Sequence, residues 1–309
     1  LAVMRHARDC DVIHANWTLS AAAAWAGRAF HQRPILATVQ GSDIFQAPRL
    51  PFVRPVTRAA LRGCVRVLAL SRALAEATAG LGVPAERIEV LPNGVDVGQF
   101  RPSPAEAREP LIVFTGSLIE RKGLRYLLQA MPLIRQKLPD QRLAVIGEGP
   151  QQAELQTLAG QLGLAEAVDF LGAQPPEAVG RWLARARLFV LPSVEEGLGV
   201  VLLEALASGT PCLGSRVGGI PDVVTADVGA LVPPADPAAL AEAAVGLLSD
   251  PAGWQALSRA ARRRAETVYS WRRVAGRLLT LYQWAAASSG APPPAEAEPA
   301  LVVKGEDVG

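Results

Sequence analysis

Lysine is almost missing from this chain. Three lysines, Lys122, Lys137 and Lys304, stand against 28 arginines, so charge needed only in bulk is carried by guanidinium and Lys122 is out of pattern. A compact ammonium on a flexible stem meets phosphate oxygens as a point charge where a planar fork does not fit. The other reading is a solvated residue at a helix start. Cysteine is also scarce. Cys10, Cys64 and Cys212 are odd in number, far apart and set among apolar residues, which suits buried thiols in a reducing, cytoplasmic compartment better than a disulfide or a zinc site. His6, His14 and His31 are scattered and no cluster at ligand spacing stands out, so no metal is expected. The Gly-Lys pair of a P-loop does not occur. No apolar run approaches a membrane span, and the net charge of +2 is too small to point to nucleic acid. A soluble protein is expected. The opening, LAVMRHARDCDVIHANW, starts with Leu1 instead of Met and has no signal-peptide pattern.

What is present is a globular composition, 50% hydrophobic and 19% charged over 309 residues, long enough for two domains. Helix and strand alternate in a parallel-sheet rhythm. Strands are expected at Asp11 to His14, Ile35 to Val39, Val65 to Leu70 and Ile88 to Leu91. Helices are expected at Ser20 to Phe30, Phe52 to Arg62 and Ser71 to Leu81, the last with Ser71 as N-cap. Val97 to Pro110, with three prolines among small and charged residues, reads as a linker. Six further strands are expected at Leu111 to Thr115, Arg142 to Ile146, Val168 to Leu171, Leu188 to Leu191, Pro211 to Ser215 and Ala230 to Val232, a complete doubly wound unit. The expected organisation is therefore a first domain over 1–108, a second over 109–268, a C-terminal helix over 269–287 and a disordered tail over 288–309, rich in Pro, Ala and Glu.

The chain is organised around Leu188 to Val223, LFVLPSVEEGLGVVLLEALASGTPCLGSRVGGIPDV. A buried strand ends at Pro192, Gly197 and Gly199 hold off helix, and VVLLEALAS then carries it to Gly209. Ligands of parallel α/β sheets sit outside the carboxyl ends of strands, where the next helix offers unpaired N–H groups. Glu196 in the loop and Glu204 in the helix would suit a ligand with a phosphate for those N–H groups and vicinal hydroxyls for the carboxylates, as in a nucleotide sugar. The alternative is that Glu195 and Glu196 solvate a loop and Glu204 complements the helix dipole.

Two other stretches invite a function. AVIGEGPQQAEL, 144–155, imitates a dinucleotide fingerprint, but Gln152 holds the third glycine position, so a nicotinamide enzyme is not expected. Arg54, Arg58, Arg62 and Arg66 recur every fourth residue. On one helix they would line a stripe able to meet anionic lipid or an anionic acceptor, the alternative being an ordinary solvated face.

The stretch from Leu188 resembles the signature of retaining family 4 glycosyltransferases of the GT-B fold: PS, EG(L/F)G, a second Glu in EA, GTP, then GG.PD(V/E). ILATVQGSDIF (35–45), LALSRALAEATAGLGVPAERIEVLPNGVDVGQF (68–100) and FTGSLIERKGLRYLLQAM (114–131) resemble further parts of the family, so the likeness spans about Asp11 to Trp284. The resemblance implies two Rossmann-like domains facing a cleft, the second binding a nucleoside-diphosphate sugar and the first the acceptor, with transfer at retained anomeric configuration. It implies that Glu196 holds sugar hydroxyls, Glu204 the ribose, and Lys122 with Arg121 the diphosphate, beside Gly199 and the N–H groups of Val200 and Val201. Gly147 in the GEGP turn would let the nucleotide approach backbone. Two positions depart from the pattern. Gln40 stands where relatives commonly have a histidine near the transferred sugar, and Ser117 where many have an arginine, a charge Arg121 could replace. Catalysis is thus expected of Glu196, Lys122 and Gln40, without cofactor or metal.

The acceptor implied is a glycan, a lipid-linked sugar or a small molecule, with peripheral contact to the inner face of a membrane possible in principle and no nucleic acid. Family members begin with a strand and glycine-rich loop that this sequence does not show, so an incomplete first domain is expected. The rival readings are a non-catalytic donor-binding or scaffold remnant and a GT-B sugar-nucleotide epimerase.

Overall fold

The apolar runs of this chain become parallel strands because each is short, β-branched or leucine-rich, and followed by a helix that returns the chain to the same edge. The structure, a computed structural model, describes residues 6, 9–46, 51–104 and 107–287. The chain divides into two compact units: one ends at Leu91 and takes the chain up again from Arg272, the other is Pro92–Trp271.

In the first unit, strands β1 (Ile13–Asn16), β2 (Ile35–Val39), β3 (Arg66–Ala69) and β4 (Ile88–Val90) form a parallel sheet in that order. Helices α1 (Thr18–Ala26) and α2 (Arg28–His31) follow β1, α3 (Ser42–Phe45) and α4 (Val53–Arg62) follow β2, and α5 (Arg72–Gly80) follows β3. Ser71 caps α5 as expected, its Oγ accepting from Leu74 N–H at 3.3 Å. The arginine stripe is shorter than its spacing suggests. Arg54, Arg58 and Arg62 share α4, but Arg66 opens β3 and its guanidinium pairs with Glu89 at 2.9 Å. Gly63 and Cys64 end the helix before the fourth position.

The second unit is doubly wound. Its strands β5 (Glu109–Thr115), β6 (Arg142–Ile146), β7 (Val168–Phe170), β8 (Ala186–Leu191), β9 (Cys212–Ser215) and β10 (Gly229–Val232) are all parallel, in the order β10-β9-β8-β5-β6-β7. Each overlaps an expected strand, and strand order reverses between β5 and β8. Helices α6 (Leu124–Lys137), α7 (Gln152–Gln161), α8 (Pro176–Arg185), α9 (Val200–Ala207), α10 (Ile220–Val223), α11 (Pro237–Ser249) and α12 (Pro251–Arg264) connect them or close the unit. Leu127, Met131 and Ile134 of α6 pack with Ile112, Leu143 and Leu188 of the sheet and Leu240 and Ala244 of α11 in one buried cluster.

The stretch read as a linker, 97–110, belongs to this unit. Val95 exchanges backbone hydrogen bonds with Tyr269 and Trp271, Arg262 donates to Val97 O and Phe100 O, and Arg108 is buried. Arginine side chains tie this stretch to the unit: Arg262 holds the Val97 and Phe100 carbonyls, and Arg108 reaches Ala186 O and Ser208 O. The C-terminal helix, α13 (Trp271–Ala286), belongs to the first unit from Arg272 on and buries Val274, Leu281 and Ala285 against Leu36, Leu68 and Leu91. Its Arg277 reaches Glu89 at 2.6 Å. The tail read as disordered, 288–309, lies outside the described residues.

Candidate functional site

Adjacent β5 and β8 lie where strand order reverses, which is where open α/β sheets form a ligand crevice. The loops that follow them meet there. Val194 N–H donates to Arg121 O at 2.8 Å, and Lys122 Nζ donates to Glu196 Oε2 at 2.5 Å, the two side chains being 14% and 9% exposed. Ser193 Oγ donates to the same carboxylate oxygen at 3.4 Å and Gly197 N–H to Oε1 at 3.2 Å. A buried carboxylate is costly without hydrogen-bonding partners, and these donors supply them. Glu196 is therefore no solvated loop residue.

Gly199 enters α9 at φ 81°, in the left-handed region that favours glycine. It offers no side-chain cap, so Val200 and Val201 begin the helix with N–H groups that have no intrahelical acceptor. Glu204, half-buried in the same helix, lies beyond its first turn, too far along to act as a dipole cap. Among the described residues no hydrogen bond or ion pair reaches its carboxyl, and burial raises it to about 7. Gly147, at the end of β6, has φ 133°, and a Cβ there would lie 2.0 Å from Gly116 O. Only glycine lets the loops after β5 and β6 approach this closely. Arg121, half-buried in the 3-10 turn Glu120–Lys122, has no polar side-chain partner among the described residues.

Arg121, Lys122, Gly147, Glu196, Gly199, Val200, Val201 and Glu204 thus all belong to the second unit, with Lys122 and Glu196 in direct contact. Gln40 belongs to the first, exposed just beyond β2. Its backbone N–H donates to Asp43 Oδ1 at 3.0 Å, and buried Asp43 also accepts from Gly41 N–H at 2.8 Å and Thr18 N–H at 3.2 Å. Burial raises the Asp43 carboxyl above its usual range while these backbone donors pull it down. Sequence reading had no role for Asp43, although it is the aspartate of the QGSD stretch. Nor did it find His14, whose Nδ1 lies 2.6 Å from Tyr282 Oη on α13 and whose Nε2 lies 2.7 Å from Thr38 Oγ1 on β2. No local pattern marks a residue whose partner lies so far along the chain.

Comparison with known proteins identifies the family. The model of the glycosyl transferases group 1 family matches residues 98–265, and that of Glycosyltransferase Family 4 matches residues 1–99. The chain is a group 1 glycosyltransferase. This glycosyltransferase has the GT-B fold, with two Rossmann-like α/β units. It is 34% identical over 267 residues to a GDP-mannose-dependent alpha-(1-6)-phosphatidylinositol monomannoside mannosyltransferase of Mycolicibacterium smegmatis, covering 81% of this chain and 70% of that one. It is 32% identical over 308 residues to a D-inositol 3-phosphate glycosyltransferase of Corynebacterium urealyticum, covering 90% and 72%. Among solved structures, sucrose-phosphate synthase from Thermosynechococcus elongatus superposes with a TM-score of 0.78 at 28% identity, over 92% of this chain and 76% of that one.

Proposed function

We propose that this glycosyltransferase moves a sugar from a nucleoside-diphosphate sugar, held by the second unit, to an acceptor, with retention of anomeric configuration. The observation that carries the reading is the Lys122–Glu196 pair beside the uncapped start of α9. A diphosphate offers oxygens to the Lys122 ammonium, to Arg121 and to the N–H groups of Val200 and Val201, all donors on one side of the crevice. Glu196 takes the sugar hydroxyls and Glu204 the ribose diol, since a carboxylate accepts paired O–H donors.

As the glycosidic bond lengthens, negative charge grows on the leaving phosphate, where Lys122 and the helix start stabilise it. That phosphate oxygen accepts the acceptor's proton on the same face, so the reaction asks no proton transfer of Gln40, a side chain that can only hydrogen-bond. In this reading the counter-charge is supplied by side chains and helix end, and a chelator leaves turnover unchanged.

GDP-mannose and inositol-based acceptors, named for the relatives, are the first substrates to try. A lipid-linked acceptor would bring the first unit to a membrane surface, where Arg54, Arg58 and Arg62 of α4 meet anionic lipid and Phe52, 87% exposed, and Phe30, 63% exposed, enter the interface. Among the described residues no helix is long and apolar enough to cross a membrane. The deciding experiment incubates the full chain with a panel of nucleoside-diphosphate sugars and acceptors and determines the anomeric configuration of the product by NMR. Inversion, or isomerised donor released without acceptor, overturns the reading.

A further inference from the structure

The second unit has a cavity of about 460 Å³ between the Pro102–Ser103 segment and α12, lined by Ser103, Trp254, Gln255, Arg259, Arg262 and Arg263 among others. None of these residues is used for the donor. Arg262 links the cavity to the far end of α9, donating to Ala207 O at 2.6 Å. Gly199, Val200 and Val201 stand at the start of that helix, and its eight residues put about 12 Å between the two ends.

The cavity is strongly cationic. The Arg108 and Arg187 guanidinium groups lie 5.3 and 5.5 Å from the Trp254 ring centroid, and among the described residues no acidic side chain lines the space. Arg262 is fully engaged with Phe100 O, Ala207 O, Val97 O and the Glu266 carboxylate. Arg259 and Arg263 differ. Both are exposed, they stand one turn apart on α12, and among the described residues neither side chain has a hydrogen bond or ion pair. Like charges at this spacing repel along the helix, so an anion held between the two guanidinium forks at the mouth of the cavity would relieve that repulsion. A carboxylate is satisfied by one fork, whereas a phosphate monoester has oxygens enough for two. Ser103 and Gln255 add neutral partners for the rest of a small polar molecule.

We propose that this cavity binds a small phosphate-bearing molecule, its phosphate held between Arg259 and Arg263. The site is independent of the donor reading, because it shares no residue with it.

The test uses the full chain and inorganic phosphate as probe, with ionic strength held constant by chloride. Phosphate that binds the folded chain alone raises Tm with a saturable concentration dependence. The shift is expected to survive Lys122→Ala, which disables the donor phosphate site. In Arg259→Gln/Arg263→Gln the midpoint is expected to move up by roughly a hundredfold, the loss of two charge-assisted contacts. Both arginines are exposed, so the double variant folds, and circular dichroism checks this. The proposal is overturned if phosphate gives the wild type no saturable shift, if the double variant keeps it, or if Lys122→Ala abolishes it, since phosphate would then be reading the donor site.

Discussion

Lys122 Nζ and Glu196 Oε2 lie 2.5 Å apart, joining the loops after β5 and β8 across the point where the sheet reverses. The two residues assigned to phosphate and to sugar are thus partners before any donor arrives. Glu196 neutralises the ammonium, and a diphosphate must share it or draw it away.

Substitutions at this pair should therefore act in opposite directions on the bare nucleotide. Lys122→Ala should weaken nucleoside diphosphate binding by about 1.5 to 3 kcal/mol, the scale of a hydrogen bond to a charged group, and barely change binding of the uncharged nucleoside. Glu196→Gln frees the ammonium, so nucleoside diphosphate affinity should hold or rise while the extra affinity for the intact nucleotide sugar is lost. Calorimetry with nucleoside, nucleoside diphosphate and nucleotide sugar separates the two. Equal losses for nucleoside and nucleoside diphosphate in Lys122→Ala would show that the lysine acts through the fold.

Lys122→Arg asks whether charge or shape matters. A guanidinium keeps the charge but is planar and wider, so it should recover only part of the affinity lost in the alanine variant. Full recovery would remove the case for a compact ammonium at this position.

Glu204, raised to about 7 by burial, should make donor binding depend on pH. The ionised form accepts ribose hydroxyls best, so nucleoside diphosphate affinity should rise as pH climbs through 7, and Glu204→Gln should flatten that rise. Stability runs the other way. Between the ordinary 4.5 and the folded value the native state binds more protons than the unfolded one, so stability falls as pH rises through this window. The shift corresponds to about 3 kcal/mol at most. Urea melts of wild type and Glu204→Gln at pH 5 and 8 check the sign.

His14 is held below its ordinary 6.5 by burial, with ring partners on β2 and α13. The neutral ring is the native form. Its stabilisation is complete above pH 6.5 and is lost as pH falls below that toward the folded value. Protection factors in α13, with the intrinsic pH dependence of amide exchange divided out, should therefore fall between pH 7 and 5, and His14→Gln should remove that fall. Protection with the same pH profile in both proteins would assign the opening to another group.

Arg108 is a purely structural case. Its guanidinium donates to Ala186 O, Ser208 O and Thr210 Oγ1, each at 2.7 Å, and stays charged at neutral pH although burial lowers it to about 10. Arg108→Met would leave the Ala186 and Ser208 carbonyls without this donor, so stability should drop by about 3 kcal/mol with nucleoside diphosphate affinity retained in the folded fraction. A melt unchanged from wild type would contradict this.

By itself the sequence determined the local and the repetitive. Strands of the second unit are short apolar runs bounded by Gly, Pro and polar residues, and all six appear where those boundaries set them. Lys122, Glu196, Gly199 and Glu204 were legible because a strand, a glycine loop and a helix start lie within a few residues of each other, and chain order alone brings such groups to one end of a sheet. Tertiary structure decided what depends on partners far along the chain. It put Arg66 on a strand with Glu89, bound the proline-rich segment after Pro92 into the second unit through Arg262 and Arg108, and gave His14 its place between Thr38 and Tyr282. It also made Lys122 and Glu196 one pair, 74 positions apart. Such contacts form only when the sheet closes, and a buried ion or hydrogen bond takes its energy from the partner and the excluded water, neither of which is written in the residues on either side.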